Sequence, residues 1–344
     1  MSSSSEKTSP RSRPSERGND PLLSVKGLHT SFNVDGKKAH AVAGVSFDVF
    51  PGETFGIVGE SGSGKSVASL SILRLVPDPP GRIDEGEILF RGQNLLDLTY
   101  EQMQDIRGEE IAMIFQEPMT SLNPVFTIGR QVSEPVRRHK KMSKEDALKR
   151  AVEVLERVGI PDAEKRLDDY PHQFSGGMRQ RVMIAMALVC EPAILIADEP
   201  TTALDVTIQA QILDLMKNLQ TEREDTAIIL ITHDLAVVAE MCDRVMVMYG
   251  GRIQEIADIA TLFDSSQHPY TRGLMASIPH QQSKGKALPV IPGNVPSIFG
   301  FPRGCKFCSR CEVAIDRCHV EEPELREIAP GHSVRCHLVE EPTK

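Results

Sequence analysis

The chain has 344 residues, which is enough for a substantial hydrophobic core and for about two domains. Its 48 Asp and Glu outnumber its 39 Lys and Arg, and the resulting net charge of −9 argues against nucleic acid as the main partner. No apolar run is as long as a membrane span and no apolar segment lies near the start, so we expect neither a membrane-spanning nor a secreted protein.

The first predicted segment, residues 1–20, contains seven Ser and almost no apolar side chains. Such a segment buries too little apolar surface to offset the entropy cost of ordering its backbone. We therefore predict that residues 1–20 form a disordered tail.

Four continuous apolar runs follow along the chain, at residues 54–58, 193–197, 227–231 and 245–249. Continuous runs of this length, unlike alternating ones, are typical of strands that are buried on both faces of a parallel sheet. We therefore predict a parallel sheet.

The stretches between these runs have helical periodicity. In residues 145–159 the periodicity places five apolar residues on one face, namely Leu148, Ala151, Val152, Leu155 and Val158. Residues 116–174 are mostly helical in pattern and predict a helical insertion in the strand series. Strands that alternate with helices indicate an α/β fold.

A glycine-rich segment follows the first apolar run and precedes a helical pattern. It matches the phosphate-loop pattern at every fixed position and consists of Gly59, Glu60, Ser61, Gly62, Ser63, Gly64, Lys65 and Ser66. The glycines let backbone N–H groups face an anion, and the next helix directs its positive end there. We predict that Lys65 reaches the β- and γ-phosphates and that Ser66 binds Mg²⁺. The segment predicts binding of a nucleoside triphosphate.

The apolar run at 193–197 leads into two carboxylates, Asp198 and Glu199. Together with a phosphate loop, this pair indicates chemistry on the bound triphosphate. Asp198 is predicted to hold Mg²⁺ through water, and Glu199 to orient and polarise the attacking water.

Residues 174–181, Phe-Ser-Gly-Gly-Met-Arg-Gln-Arg, resemble the signature of ABC-transporter ATPase subunits. Phe174 and Met178 stand where that signature usually has Leu and Gln. Four other motifs of the family fall in order along the chain. These are the aromatic residue that stacks on adenine (Phe32), the Q-loop (Gln116), the D-loop (203–205, with Asp205) and the switch histidine (His233).

The resemblance implies a P-loop NTPase fold with a RecA-like core, a helical subdomain and a small irregular C-terminal domain. It also implies that two such subunits associate head to tail, with ATP bound between them. ATP binding would close this dimer and hydrolysis would reopen it. The catalytic residues implied are Glu199, His233 and Gln116. Each site would be closed by the other subunit's signature residues, which are Ser175, Gly176 and Gly177.

Residues 115–124, 128–131 and 268–274 resemble the dipeptide/oligopeptide importer branch of the family, which also includes nickel importers. Residues 293–336 resemble the C-terminal region of that branch. The resemblance implies an ATP-binding domain at 21–265, with the helical subdomain at about 116–174, and a C-terminal region at 266–344. It also implies two permease subunits, a second ATP-binding subunit and an extracytoplasmic solute-binding protein. The chain would work at the cytoplasmic face of a bacterial inner membrane.

Five of the seven cysteines lie in the last 40 residues. In a chain kept inside the cell, such a cluster points to metal binding before disulfides. One ligand set is the ferredoxin-like run of Cys305, Cys308, Cys311 and Cys318. The resemblance selects a different set, which in some members of the branch holds a [4Fe–4S] cluster and which we adopt here: Cys305, Cys311, Cys318 and Cys336. Four thiolates also suit Zn²⁺, and free thiols are the third alternative.

Two other classes of protein fit the sequence less well. A soluble ABC-type ATPase acting on nucleic acid or ribosomes usually has two nucleotide-binding modules in one chain or a long coiled coil, and this chain has neither. A metal or redox protein would not need the full set of hydrolytic residues. The sequence therefore predicts an ATPase that energises the import of di- or oligopeptides. The solute, nickel complexes included, stays open because specificity lies in other subunits.

Overall fold

The computed structural model describes residues 20–117, 121–201, 206–278 and 290–339. The predicted disordered tail, apart from Asp20, lies outside these residues. Within them, no helix is both long and apolar enough to cross a membrane.

The N-terminal part of the chain forms a four-stranded antiparallel sheet. Its strands are β1 (Leu23–Val34), β2 (Lys37–Val49), β4 (Gly81–Phe90) and β5 (Gln93–Asn94). Their order is β2–β1–β4–β5. The sequence did not predict this sheet, because register shifts near Val25, Leu28 and Thr30 interrupt the strict apolar–polar alternation of β1.

A second sheet of eight strands forms the centre of the molecule. Its strands are β3 (Thr54–Val58), β6 (Ile111–Ile114), β7 (Ile194–Asp198), β8 (Ala227–Ile231), β9 (Arg244–Tyr249), β10 (Arg252–Asp258), β11 (Arg326–Ala329) and β12 (His332–Val334). The order is β11–β12–β10–β9–β3–β8–β7–β6. The five strands from β9 to β6 are parallel to one another, as the continuous apolar runs predicted.

Ten helices lie wholly within the described ranges. They are α1 (Lys65–Ile72), α2 (Tyr100–Ile106), α3 (Ile128–His139), α4 (Lys144–Arg157), α5 (Gly176–Leu188), α6 (Val206–Glu222), α7 (Leu235–Met241), α8 (Ile259–Ser265), α9 (Pro269–Ala276) and α10 (Asp316–Val320). Short 3₁₀ turns supplement them. The stretch predicted to be a helical insertion contains α3 and α4.

The parallel strands are buried on both faces, each of which packs into a different core. In β7, Ile194 and Ile196 belong to the core shared with α1 and the antiparallel sheet. Leu195 and Ala197 of the same strand belong to the core shared with α3, α4 and α5. Alternate residues therefore serve alternate cores, which explains why the strand sequence is continuously apolar.

Helix α4 buries part of the predicted face, because Ala151, Leu155 and Val158 are buried as expected, together with two residues that the periodicity did not select. Its buried residues are Ala147, Ala151, Val154 and Leu155, whereas Leu148 and Val152 are only half-buried. The helix packs against both α3 and α5. These neighbours rotate the buried stripe toward Ala147 and Val154, and the periodicity of one segment carries no information about where its neighbours lie.

The C-terminal residues extend the central sheet. Strands β11 and β12 form an antiparallel hairpin, and β12 pairs with β10 through Glu255 and Val334. The buried Glu255 carboxylate accepts hydrogen bonds from the backbone N–H groups of Gln267 and His268. His332 Nε2 lies 2.8 Å from the same carboxylate. The hairpin is therefore joined to the sheet by both backbone and side-chain contacts.

Candidate functional site

The predicted catalytic side chains follow the carboxyl ends of neighbouring parallel strands. Strand β3 runs into the phosphate loop, β6 precedes Gln116, β7 ends at Asp198 and β8 precedes His233. The carboxyl ends of parallel strands meet at one edge of a sheet, where ligands bind in open α/β folds. Strand order alone therefore brings these segments together.

Two glycines make the tight path of the phosphate loop possible. Gly64 has φ 101°, and a Cβ atom there would lie 2.4 Å from the carbonyl oxygen of Ala41. Gly59 has φ 151°, and a Cβ atom there would lie 2.2 Å from the carbonyl oxygen of Met248. A side chain at either position would clash with backbone, so only glycine fits.

Lys65 is the first residue of helix α1, immediately after the loop. Its Nζ donates to the carbonyl oxygens of Gly59 and Glu60, at 2.7 and 3.0 Å. Burial lowers the pKa of this amine, and the nearby Glu199 and Asp198 oppose that effect. The arrangement folds the cation back over the loop, beside the backbone that is predicted to surround the phosphates.

Asp198 has the properties expected of a carboxylate that serves a cation. It is buried, and its Oδ1 atom has no hydrogen-bond partner among the described residues. Burial raises the pKa of Asp198, and the nearby Ser66 hydroxyl and the charge of Lys65 oppose that rise. A hydroxyl and a carboxylate oxygen are ligands that Mg²⁺ accepts, so the pair fits the predicted metal.

Glu199 stands between the other two predicted catalytic residues. Gln116 Nε2 donates to Glu199 Oε2 at 3.1 Å, and His233 Nδ1 lies 3.3 Å from Glu199 Oε1. The backbone of Glu199 has φ 47°, in the left-handed region that few residues other than glycine adopt. Such strain is found at functional sites, where the surrounding structure enforces it. The structure thus brings Glu199, Gln116 and His233 together.

The signature segment lies at the start of helix α5. Ser175 is the N-cap of this helix, and its hydroxyl accepts from the backbone N–H of Met178. Ser175 and Gly176 are exposed, and a Cβ atom at Gly176 would meet nothing within 4 Å. The segment is therefore open to a partner.

The remaining predicted nucleotide contacts divide into two cases. Phe32 is half-buried on β1, in register with Ala39 of β2 and Gly81 of β4. The same strand is tied to helix α1 by a 2.8 Å hydrogen bond between the hydroxyls of Thr30 and Ser71. Asp205 lies outside the described residues.

The C-terminal cysteines converge on one small cavity. Its lining includes His268 and His337. It also includes all five cysteines of the region, which are Cys305, Cys308, Cys311, Cys318 and Cys336. Cys308 Sγ also lies 3.6 Å from His319 Nδ1. Within the described part of the chain, no three His, Cys, Asp or Glu side chains are arranged as ligands of one metal ion. Burial raises the pKa of Cys305 to about 12, so a metal that binds this thiol must displace its proton.

Two residues of the C-terminal region contact the phosphate loop, and sequence reasoning did not find them. Arg310 forms an ion pair with Glu60, and the Tyr270 hydroxyl accepts from the Glu60 backbone N–H. These partners are separated by 250 and 210 residues in the chain. No local sequence pattern predicts a contact between residues that are so far apart in the chain.

Known protein families match both the N-terminal and the C-terminal part of the chain. A family model described as ABC transporter matches residues 42–202, and one described as oligopeptide/dipeptide transporter, C-terminal region, matches residues 254–318. A probable peptide ABC transporter ATP-binding protein of Sinorhizobium fredii is 54% identical over 92% of this chain and 95% of its own length. The dipeptide transport ATP-binding protein DppD of Bacillus subtilis is 52% identical over 93% and 95%.

Solved structures share the fold. A dimeric ATP-binding cassette in a post-hydrolysis state, bound to ADP and Pi, matches with a TM-score of 0.63 and 29% sequence identity. The match covers 69% of this chain and 99% of that cassette.

Proposed function

Because this chain belongs to the ABC transporter ATP-binding family, we propose that it drives the import of dipeptides or oligopeptides through a membrane permease. The chain is an ATPase of the P-loop type. The observation that carries the proposal is the similarity to peptide-transport ATP-binding proteins over more than nine-tenths of both lengths. A second support is the match of the C-terminal region to the oligopeptide/dipeptide transporter model.

At the nucleotide site, we infer that the loop from Gly59 to Ser66 surrounds the phosphates of ATP. Lys65 then leaves the loop carbonyls and reaches the β- and γ-phosphates. Ser66 and Asp198 hold Mg²⁺, which neutralises charge on the phosphate oxygens when bound. Two observations support this role: Asp198 Oδ1 has no hydrogen-bond partner in the described ranges, and the Ser66 hydroxyl lies near this carboxylate. Phe32 is proposed to stack on the adenine.

Hydrolysis requires an activated water, and Glu199 is our proposed base. Its carboxylate orients and polarises the water, while Gln116 and His233 hold that carboxylate and sense the γ-phosphate. The hydrogen bonds of both residues to Glu199 support this assignment. The strained backbone of Glu199 is a second support, because such strain is found at functional sites.

One chain supplies only half of each proposed site. Ser175, Gly176 and Gly177 would close the site of a second ATP-binding subunit, and Asp205 would lie at the same junction. The exposure of the signature segment supports this arrangement, and the cassette similar in fold is a dimer. We propose that ATP binding closes the pair and that hydrolysis reopens it.

The remaining partners follow from the same proposal. Two permease subunits, a second ATP-binding subunit and an extracytoplasmic solute-binding protein would complete the importer. The chain would bind at the cytoplasmic face of the inner membrane, through its helical subdomain, and copurify with the permease.

Growth of a deletion strain tests the transported solute. A strain that lacks this gene and requires one amino acid is supplied with that residue only in peptides of defined length. We expect the wild-type gene to restore growth on peptides and Lys65→Ala to leave it absent. Growth on free amino acid is the control for viability. If the deletion strain grows on peptides as well as the strain that carries the gene, and if the deletion strain is defective in nickel uptake, the transported solute is a nickel complex.

We also propose that the cysteine cavity holds a structural [4Fe–4S] cluster or Zn²⁺ on Cys305, Cys311, Cys318 and Cys336. Convergence of the four thiols on one cavity supports this, although their side chains are not arranged as a closed ligand set. The contact of Cys308 with His319 favours Cys308 as the thiol left out of the set.

Iron, sulfide and zinc analysis of anaerobically purified protein tests the site. We expect about one cluster or one zinc per chain, lost in Cys311→Ser and kept in the matched variant Cys308→Ser. Metal-free wild-type protein that stays folded would remove the proposal. Loss in Cys308→Ser with retention in Cys336→Ser would select the ferredoxin-like run instead.

A further inference from the structure

Two residues of the C-terminal region, Arg310 and Tyr270, hold the phosphate loop at Glu60. Arg310 Nη1 lies 2.6 Å from Glu60 Oε2, and Arg310 Nη2 lies 3.1 Å from Glu60 Oε1. The pair is bidentate, the geometry in which a guanidinium and a carboxylate interact most strongly. The backbone N–H of Glu60 donates to the Tyr270 hydroxyl at 2.9 Å. Both the side chain and the backbone of this loop residue are thus held by the C-terminal region.

Arg310 itself is fixed by its surroundings. Its side chain is only 6% exposed, and its Nε donates to the carbonyl oxygen of Pro292 at 3.0 Å. Its guanidinium also lies near the ring of Tyr249, which packs against Tyr270 and Phe307. Glu60 raises the pKa of Arg310 above its ordinary value, so the guanidinium stays charged. A buried, positioned cation of this kind differs from a mobile surface ion pair.

The charge of Glu60 is the reason that this anchor matters. Glu60 places a carboxylate within a loop whose ligand is a polyanion, and an unpaired carboxylate there would repel the triphosphate. Lys65 is the one cation of the loop sequence from Gly59 to Ser66, and it is needed for the phosphates themselves. Arg310 supplies the second positive charge, from a position that leaves Lys65 free.

We propose that Arg310 is a positioning residue for ATP binding, which neutralises the Glu60 carboxylate so that this charge does not repel the triphosphate. The inference rests on the proposed role of the loop and deepens it. Arg310 acts through Glu60 and is not assigned contact with ATP. The alternative is that Arg310 only attaches the C-terminal region to the cassette.

Four variants separate these roles, with ATP affinity and steady-state kinetics measured on the full-length chain. In Arg310→Met we expect ATP affinity to fall on the order of tenfold, the size of one uncompensated charge about 10 Å from another near a protein surface. The value of kcat at saturation stays within about twofold, because the groups around the water are untouched. The matched control Arg317→Met removes an exposed Arg–Glu pair of the same region and binds ATP as wild type does.

The double variant Arg310→Met/Glu60→Gln distinguishes the charge-neutralising role from a merely structural attachment. It removes the repelling charge together with its partner, so we expect ATP affinity to return to within about threefold of wild type. A merely structural attachment is not restored by Glu60→Gln, so a double variant as weak as Arg310→Met overturns the proposal. Wild-type affinity in Arg310→Met overturns it as well.

If Arg310→Met does not fold, Glu60→Gln alone tests the same charge. It is expected to bind ATP at least as tightly as wild type, because the repelling carboxylate is absent while the positive charge of Arg310 remains. A tenfold loss of affinity there would contradict the charge argument. Failure of the wild-type chain to bind ATP would overturn the proposed function, and is distinct from each of these outcomes.

Discussion

At the edge of the central sheet, Gln116, Glu199 and His233 each follow directly from the end of a parallel strand. In the C-terminal region, by contrast, single long-range contacts such as Arg310 with Glu60 and His332 with Glu255 fix the side chains. Topology places the first set, so it tolerates change in the loops around it. The second set depends on each individual contact. We expect the loss of one such contact to lower stability or to change loop geometry, and to leave the rate of the chemical step nearly unchanged.

The largest effect that separates the two regions is expected at Glu199. Glu199→Gln keeps the size of the side chain and its contact with Gln116, but removes the base. We expect kcat for ATP hydrolysis to fall about 10³-fold while ATP affinity and the unfolding midpoint stay near wild type. Glu222→Gln, which alters an exposed ion pair with Arg157, serves as the matched control. Normal ATPase rates in Glu199→Gln would end its assignment as the base.

The next effect concerns the attachment of the C-terminal hairpin. Glu255→Ala leaves the backbone N–H groups of Gln267 and His268, and the His332 side chain, without their acceptor, which costs about 3–5 kcal/mol of unfolding free energy. Asp258→Ala, three residues on, removes the N-cap of α8 and costs about 1 kcal/mol. Urea unfolding followed by circular dichroism and by ATPase activity measures both. Similar losses in the two variants would mean that the buried carboxylate is not the main attachment.

A smaller loss is expected within the phosphate loop. Gly64→Ala combines φ 101° with a Cβ atom 2.4 Å from the Ala41 carbonyl oxygen, and we expect it to cost about 3 kcal/mol. The matched variant Gly62→Ala has φ 77° but open space around the new Cβ atom, so it costs about 1 kcal/mol. Equal unfolding midpoints for the two variants would show that the close approach to Ala41 is not maintained.

The smallest effect is a pH dependence in the C-terminal region. Burial lowers the pKa of His268 to about 3, whereas an unfolded chain has an ordinary histidine pKa of about 6.5. The unfolded state therefore binds the proton more tightly, and stability falls as the pH drops below about 6.5, by about 2 kcal/mol at pH 5.

His268→Asn provides the control for this effect. An asparagine oxygen can accept from the Tyr270 backbone N–H in place of His268 Nδ1. The variant should therefore lose the pH dependence between pH 7 and pH 5 while keeping most of its stability at pH 7. The same slope of stability against pH in both proteins would assign the effect to other groups.

The sequence predicted those parts of the molecule that are determined by short, continuous stretches of residues. The phosphate-loop glycines, each buried strand and the carboxylate pair Asp198 and Glu199 are each encoded by a few consecutive residues. Because strands of this type are parallel, their ends also had to meet. The antiparallel sheet was not predicted, since irregularities in β1 disrupt its alternation.

The rest depends on residues that are far apart in the chain. The buried face of α4 is decided by α3 and α5, which bury Val154 and leave Val152 only partly buried beside the same core. The contact between Arg310 and Glu60 joins residues that share no local pattern, and only the folded backbone brings them within reach. The cysteines were recognised as a group, yet their positions around one cavity required the structure.

The strand order also has a consequence during synthesis of the chain. Strand β10 pairs with β12 on one side, and the 73 residues from 259 to 331 separate the two strands. At about 5–20 residues per second, a ribosome needs roughly 4–15 s to supply that partner after β10 has emerged. During this interval the nascent sheet ends in an open strand edge, which can pair with strands of other chains. A chain cut before His332 would keep that edge open permanently, so truncated products of this gene are expected to aggregate when separated from ribosomes.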